Sequence, residues 1–242
     1  MLRNRLALLA LLALAACEDA PTGPSSYAQV LGGTSWVAVA EPPGMAGADT
    51  WLPYAVPSAA AEARDLSAAA GRARRSGRIA EAVELEGHAL LAAAAVERAP
   101  LPERVLGPLA ALDAWVVRSA GRLATEPHPY LAESTAAVSA HADSARASLA
   151  AGDTAAAVLH LARGTLHARE HAPMAVGARL LASLEVRLEG APALPSTQRA
   201  RRLLAGAREG LATGDTVRAL RRVVYAHQLL DAGTVDSGHA PR

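Results

Sequence analysis

The hexapeptide Leu149-Ala-Ala-Gly-Asp-Thr154 returns almost letter for letter as Leu211-Ala-Thr-Gly-Asp-Thr216, and no other feature constrains the fold as strongly. The residues around it repeat too. Ala145, Gly152, Ala157, Val158 and Gly164 in one copy answer to Ala207, Gly214, Ala219, Leu220 and Ala226 in the other. A weaker copy upstream holds Ala70, Gly77, Ala82, Val83 and Ala89. A Gly that can take the left-handed conformation ends a helix, and an Asp with a short side-chain acceptor starts the next. Each copy therefore predicts two helices folded back on one another, with small residues where they face.

Between these turns every segment from Ser58 to about Gly233 reads as helix punctuated by Gly or Pro. The first helix runs from Ser58 to Ser76 and the second from Arg78 to about Arg98. A third follows Pro100-Leu-Pro102 with a stripe of Val105, Leu109, Leu112, Val116, Ala120 and Leu123. The fourth, Tyr130 to Ala150, carries Leu131, Thr135, Val138, Ala142, Ala145 and Leu149 at the same spacing. The fifth has a core face of Ala155, Val158, Leu159, Ala162 and Leu166. The sixth opens at Pro173 and turns Leu180, Leu181, Leu184 and Leu188 inward; the seventh starts at Ser196 and the eighth ends at Gly233. The expected fold is all-α: about eight helices as stacked antiparallel hairpins, one extra helix after each of the first two.

The hairpins resemble the tetratricopeptide repeat, with a small residue before the turn, Gly-Asp at it, and Ala-Val or Ala-Leu after it. The resemblance rests on Ala145, Gly152-Asp153, Ala157-Val158 and Gly164, and on their counterparts Ala207, Gly214-Asp215, Ala219-Leu220 and Ala226. It implies a helical array that presents a groove to another protein. The chain departs from the family in placing Arg78 where the first copy needs Asp. It also lacks most of the family's aromatic positions and spaces its turns 75 and 62 residues apart instead of 34.

The amino-terminal end reads as an export signal. Arg3 and Arg5 precede an apolar run from Leu6 to Ala16, much shorter than the roughly 17–25 residues that span a bilayer. Leu14-Ala-Ala-Cys17 resembles the lipobox of bacterial lipoproteins, which implies removal of residues 1–16 and acylation of Cys17, the only cysteine in the chain. The resemblance places the protein outside the cytoplasm, held to the membrane through Cys17. More than one acyl chain makes such an anchor durable. A mature chain so processed has no thiol and is held by packing alone. Loss of Arg3 and Arg5 takes the formal charge from +1 to −1, which argues against a nucleic-acid partner.

Residues 17–57 hold Pro21, Pro24, Pro42, Pro43, Pro53 and Pro57 and read as a membrane tether. Tyr27, Trp36, Trp51 and Tyr54 lie within it, an aromatic content foreign to free linkers. The Trp36–Trp51 stretch either docks on the helical body, residues 58–233, or waits exposed for a partner. Residues 234–242 are expected to be a flexible tail.

Candidate chemistry is sparse. His160, His167 and His171 fall on one flank of the fifth helix, and His141 lies on the helix folded against it. His141, His167 and His171 are therefore the candidate metal set, the other reading being a solvated polar face. His160 lies two turns from His167, too far to share an ion with it. His227 reads as a boundary core residue, and Glu84 with His88 as an exposed pair. Arg199, Arg201, Arg202, Arg218, Arg221 and Arg222 make a basic cluster on the last hairpin. It suits an anionic partner, or the polar outer cap that a terminal repeat needs. No catalytic motif and no cofactor-binding motif is present. The expected role is a lipid-anchored envelope scaffold or adaptor that holds another envelope protein; a metal- or small-ligand-binding bundle is the alternative.

Overall fold

The computed structural model of the protein describes residues 36–237, with side chains as far as residue 232. Cys17 and its lipobox, Tyr27 and the last tail residues lie outside this range. Nine helices occur among the described residues: a single turn α1 (Ala48–Trp51), then α2 (Pro57–Arg75), α3 (Ile79–Ala93), α4 (Pro102–Thr125), α5 (Pro129–Ala150), α6 (Thr154–Arg169), α7 (Pro173–Glu189), α8 (Pro195–Thr213) and α9 (Thr216–Ser237). The protein is all-α, as the periodicity predicts. The only extended pairing among the described residues is an isolated antiparallel bridge between Ala55 and Val96. No helix among them is long and apolar enough to cross a membrane.

The three hairpins are α2/α3, α5/α6 and α8/α9, the most closely packed neighbours in the molecule. Their turns are alike in backbone. Gly77, Gly152 and Gly214 have φ of 76°, 78° and 85°, a region that L side chains rarely adopt. At the first two, the amide of the next residue reaches back five positions: Arg78 N–H to Ala73 O at 2.9 Å and Asp153 N–H to Ser148 O at 2.8 Å. At the third, Gly214 N–H bonds Leu211 O at 3.3 Å. Asp153 then caps α6 by accepting from Ala156 N–H at 2.9 Å, and Asp215 caps α9 by accepting from Arg218 N–H at 3.2 Å. Arg78, lacking an acceptor, gives α3 no side-chain cap.

The seams behind these turns are lined by small residues. Ala70, Ala82 and Ala89, then Ala145 and Ala157, then Ala207, Ala219 and Ala226 are all at most 1% exposed. Gly164 is closely surrounded: a Cβ there would stand 2.8 Å from Leu112 Cδ1 and 3.2 Å from His141 Cβ. Its lack of a side chain lets α4, α5 and α6 meet.

Several helix faces differ from expectation, each for a tertiary reason. Helix α3 stops at Ala93 instead of continuing to Arg98, because Val56 N–H bonds Ala95 O and Glu97 N–H bonds Tyr54 O. In α4 the core continues from Leu112 through Trp115 and Ser119, while Val116 is half-buried and Ala120 exposed. The buried face of α6 is Ala157, Val158, Leu161, Ala162, Thr165 and Ala168; Ala155, Leu159 and Leu166 are half-buried. This helix meets α5, α4 and α3 at once, so its core face is wider than one stripe.

Two hydrophobic clusters result. The first gathers Leu90, Val105, Leu112, Trp115, Leu131, Val138, Val158 and Leu161 from α3 to α6. The second gathers Val176, Leu184, Leu204, Leu211, Leu220 and Val223 from α7 to α9. The described part of the expected tether belongs to this body. Val37 and Val39 enter the first cluster and Ala38 the second, the alternation of an extended strap. Trp51, fully buried, anchors the far end of the strap in the first cluster. The helical body thus takes in residues 36–57. Full burial of a Val or a larger apolar side chain stabilises by about 1.5–3 kcal/mol, which holds the strap in place.

Candidate functional site

Three places in this body bring chemistry-bearing side chains together. The first is the strap contact. His171 was expected on the flank of α6, but that helix ends at Arg169, so the helical phase does not extend to it. Its ring is 2% exposed and sits beneath the strap. Nδ1 lies 3.2 Å from Val37 O, which can only accept, so Nδ1 carries the proton. Nε2 then accepts from the Ser134 hydroxyl at 3.0 Å. The backbone closes the clasp through Val39 N–H to His171 O at 2.8 Å. Trp115, Tyr130 and His128 surround the ring, and Arg179 and Glu170 act on it electrostatically. Burial lowers the pKa of His171, with Arg179 and His128 pressing the same way against the Val37 carbonyl and Glu170. Arg118 and Arg169 hold the strap further on, donating to Ala40 O at 3.3 Å and to Ala46 O at 3.1 Å.

The second is a groove of about 570 Å³ between α3, the end of α6, the start of α7 and Glu41 of the strap. Val83, Gly87, Leu91, Leu166 and Met174 make its floor. Gly87 lies close to the opposite wall, since a Cβ on it would meet Leu166 Cδ2 at 3.0 Å. Around the floor stand Glu41, Glu84, Glu86 and Glu170 against Arg74 and Arg169. Arg74 pairs with Glu86, and Arg169 with Glu41 at 3.6 Å. The remaining carboxylates leave the wall net acidic; Glu170 also accepts from the Tyr130 hydroxyl at 2.8 Å. Leu91 is 36% exposed at the mouth. The sequence reading places Glu84 and His88 as an exposed pair, and both are exposed, on one wall of this groove. The one local hint of the groove was Gly87 inside a helix.

The third is the histidine cluster. The expected trio of His141, His167 and His171 is not brought together, because His171 is committed to the strap. His160 joins the other two instead. His141 projects from α5 over Gly164, with His160 on one side and His167 on the other, ring centroids 5.7 Å away in each case. His141 Nδ1 lies 3.4 Å from His160 Nδ1. The His167 ring stacks on His141 at 16°, and its Nδ1 faces Glu170 Oε1 at 3.8 Å. Burial lowers the pKa of His141, and the charges of His167, His160 and Arg163 add to this. Among the described residues, no group of three or more His, Cys, Asp or Glu is placed to hold one metal ion.

The basic cluster of the last hairpin is partly structural. Arg201 donates to Leu188 O at 3.1 Å at the end of α7, and Arg222 to Gly206 O at 2.9 Å. Arg199 lies over the Tyr225 ring at 5.3 Å. Arg202 and Arg218 are exposed, whereas Arg221 is half-buried. His227 is half-buried between α9 and α7, with Nε2 donating to Leu180 O at 3.1 Å and Nδ1 2.8 Å from Arg187.

No family model matches this chain, and no curated protein and no solved structure matches it either.

Proposed function

We propose that the protein is a lipid-anchored cell-envelope adaptor that holds a segment of another envelope protein in the groove between α3, α6 and α7. The single observation that supports this is the groove itself: an apolar floor open to solvent under a net acidic wall. Such a surface suits an extended or helical segment carrying apolar side chains and a Lys or Arg directed at Glu84. The hairpin architecture supports the same reading, since stacked helix pairs expose concave surfaces of this kind. The anchor rests on Leu14-Ala-Ala-Cys17, whose likeness to a lipobox supports a body held at the membrane surface.

The test is positional. A photoreactive residue at Leu91, in the groove, should give one discrete cross-linked adduct in cells that make the protein. The same residue at Val117, 71% exposed on α4, should not give that adduct. Glu84→Lys should weaken the Leu91 adduct. The same adduct from both positions, or indifference to Glu84→Lys, refutes the groove as the docking surface. Cys17→Ala should release the protein from the membrane fraction.

A further inference from the structure

We propose that His141 and His160 form a two-imidazole site for a borderline divalent cation, Cu²⁺ or Zn²⁺, which would staple α5 to α6. The separation of their ring nitrogens carries the argument. At 3.4 Å, Nδ1 to Nδ1 exceeds the roughly 2.7–3.2 Å of an ordinary nitrogen-donated hydrogen bond. It matches the distance between two nitrogens on one tetrahedral metal: bonds of about 2.0–2.1 Å at a tetrahedral angle place them roughly 3.3–3.4 Å apart.

The scaffold fixes this separation. His141 stands on α5 and His160 on α6, two rods locked by the Gly152 turn and Asp153 cap, and Gly164 lets His141 lie close. Both side chains are half-buried. His167 completes the cluster without ligating: it stacks on His141 and directs Nδ1 toward Glu170. Water fills the remaining coordination positions.

The donor set selects the ion. Two neutral imidazoles without a carboxylate suit copper and zinc and reject hard cations such as Mg²⁺ or Ca²⁺. Arg163 opposes a cation and weakens the site for either ion; Zn²⁺ takes the tetrahedral separation as it stands, whereas Cu²⁺, which favours tetragonal geometry but binds nitrogen donors more strongly, draws the two rings slightly together.

The probe is Cu²⁺ alone, titrated into the full chain at about pH 7.5, where imidazole is deprotonated. One equivalent should bind, raise the melting temperature, and give an electron paramagnetic resonance spectrum with two imidazole nitrogens. His160→Ala and His141→Ala should each weaken binding by at least about tenfold. His88→Ala should leave it unchanged. A one-nitrogen spectrum overturns the proposal, as does binding that survives both substitutions or that disappears in His88→Ala. The wild-type spectrum decides the matter even where a variant does not fold.

Discussion

Acidification should loosen this protein through His171, and the size of the effect follows from the strap contact. Folded, the ring is neutral, with Nδ1–H donating to Val37 O and Nε2 accepting from the Ser134 hydroxyl. Burial lowers its pKa below the ordinary 6.5, whereas the unfolded chain protonates it near that value. The unfolded state therefore binds the proton first as the pH falls. Stability is complete above 6.5 and declines below it, by at most about 1.4 kcal/mol per pH unit, until the folded ring also protonates. Between about pH 7 and pH 5 the ceiling is about 2 kcal/mol. For a body of this size that is a fall in melting temperature of about 4–8 °C. The groups facing the ring are Arg179, Glu170, His128 and Tyr130; Glu170 favours its charged form, while burial, Arg179 and His128 oppose it. The assay is thermal unfolding by circular dichroism across that range, for the wild type and for His171→Asn. Asparagine can still donate to Val37 O but does not titrate. The wild type should lose more than the variant as the pH falls. Equal slopes, or a His171 ring that titrates by nuclear magnetic resonance at or above 6.5, would refute the reasoning.

Three further expectations concern the second hairpin. Gly164→Leu should lower stability by about 1–3 kcal/mol through overpacking against Leu112 and His141, and should abolish copper binding by displacing the latter. Gly164→Ala should lower the melting temperature less than Gly164→Leu, its helix-propensity gain of up to about 1 kcal/mol opposed by approaches of 2.8 Å to Leu112 Cδ1 and 3.2 Å to His141 Cβ. Asp153→Ala should cost about 1 kcal/mol in urea unfolding by removing the bond to Ala156 N–H; an unchanged midpoint would show that α6 needs no cap.

What could be read from the sequence was local. Gly152 and Gly214 sit where a left-handed residue must close a helix, and the Asp that follows each can cap only the next one. The hairpins were therefore legible from a few consecutive letters, as were the inward leucines of α7. Trp115 was missed because the apolar pattern of α4 offers both a Val116 and a Trp115 phase, and only the positions of α5 and α6 choose between them. His171 was misplaced because helical phase was carried two residues past the end of α6. The strap was undecided for a different reason: Val37 and Val39 find their partners through a residue more than 130 positions away, a pairing no local signal encodes. His160 was set aside on its distance from His167. That distance matters little once His141 lies between them on another helix.

The strap also fixes where mechanical load enters the fold. A pull on the chain ahead of Trp36 does not begin by unwinding a helix end. It bears first on the Val39–His171 pair and on Arg179 against the Trp36 ring, 4.9 Å from its centroid, between the two clusters. Tension and acid then act on the same clasp: a proton on His171 takes away the nitrogen that accepts from Ser134 and weakens the strap's hold.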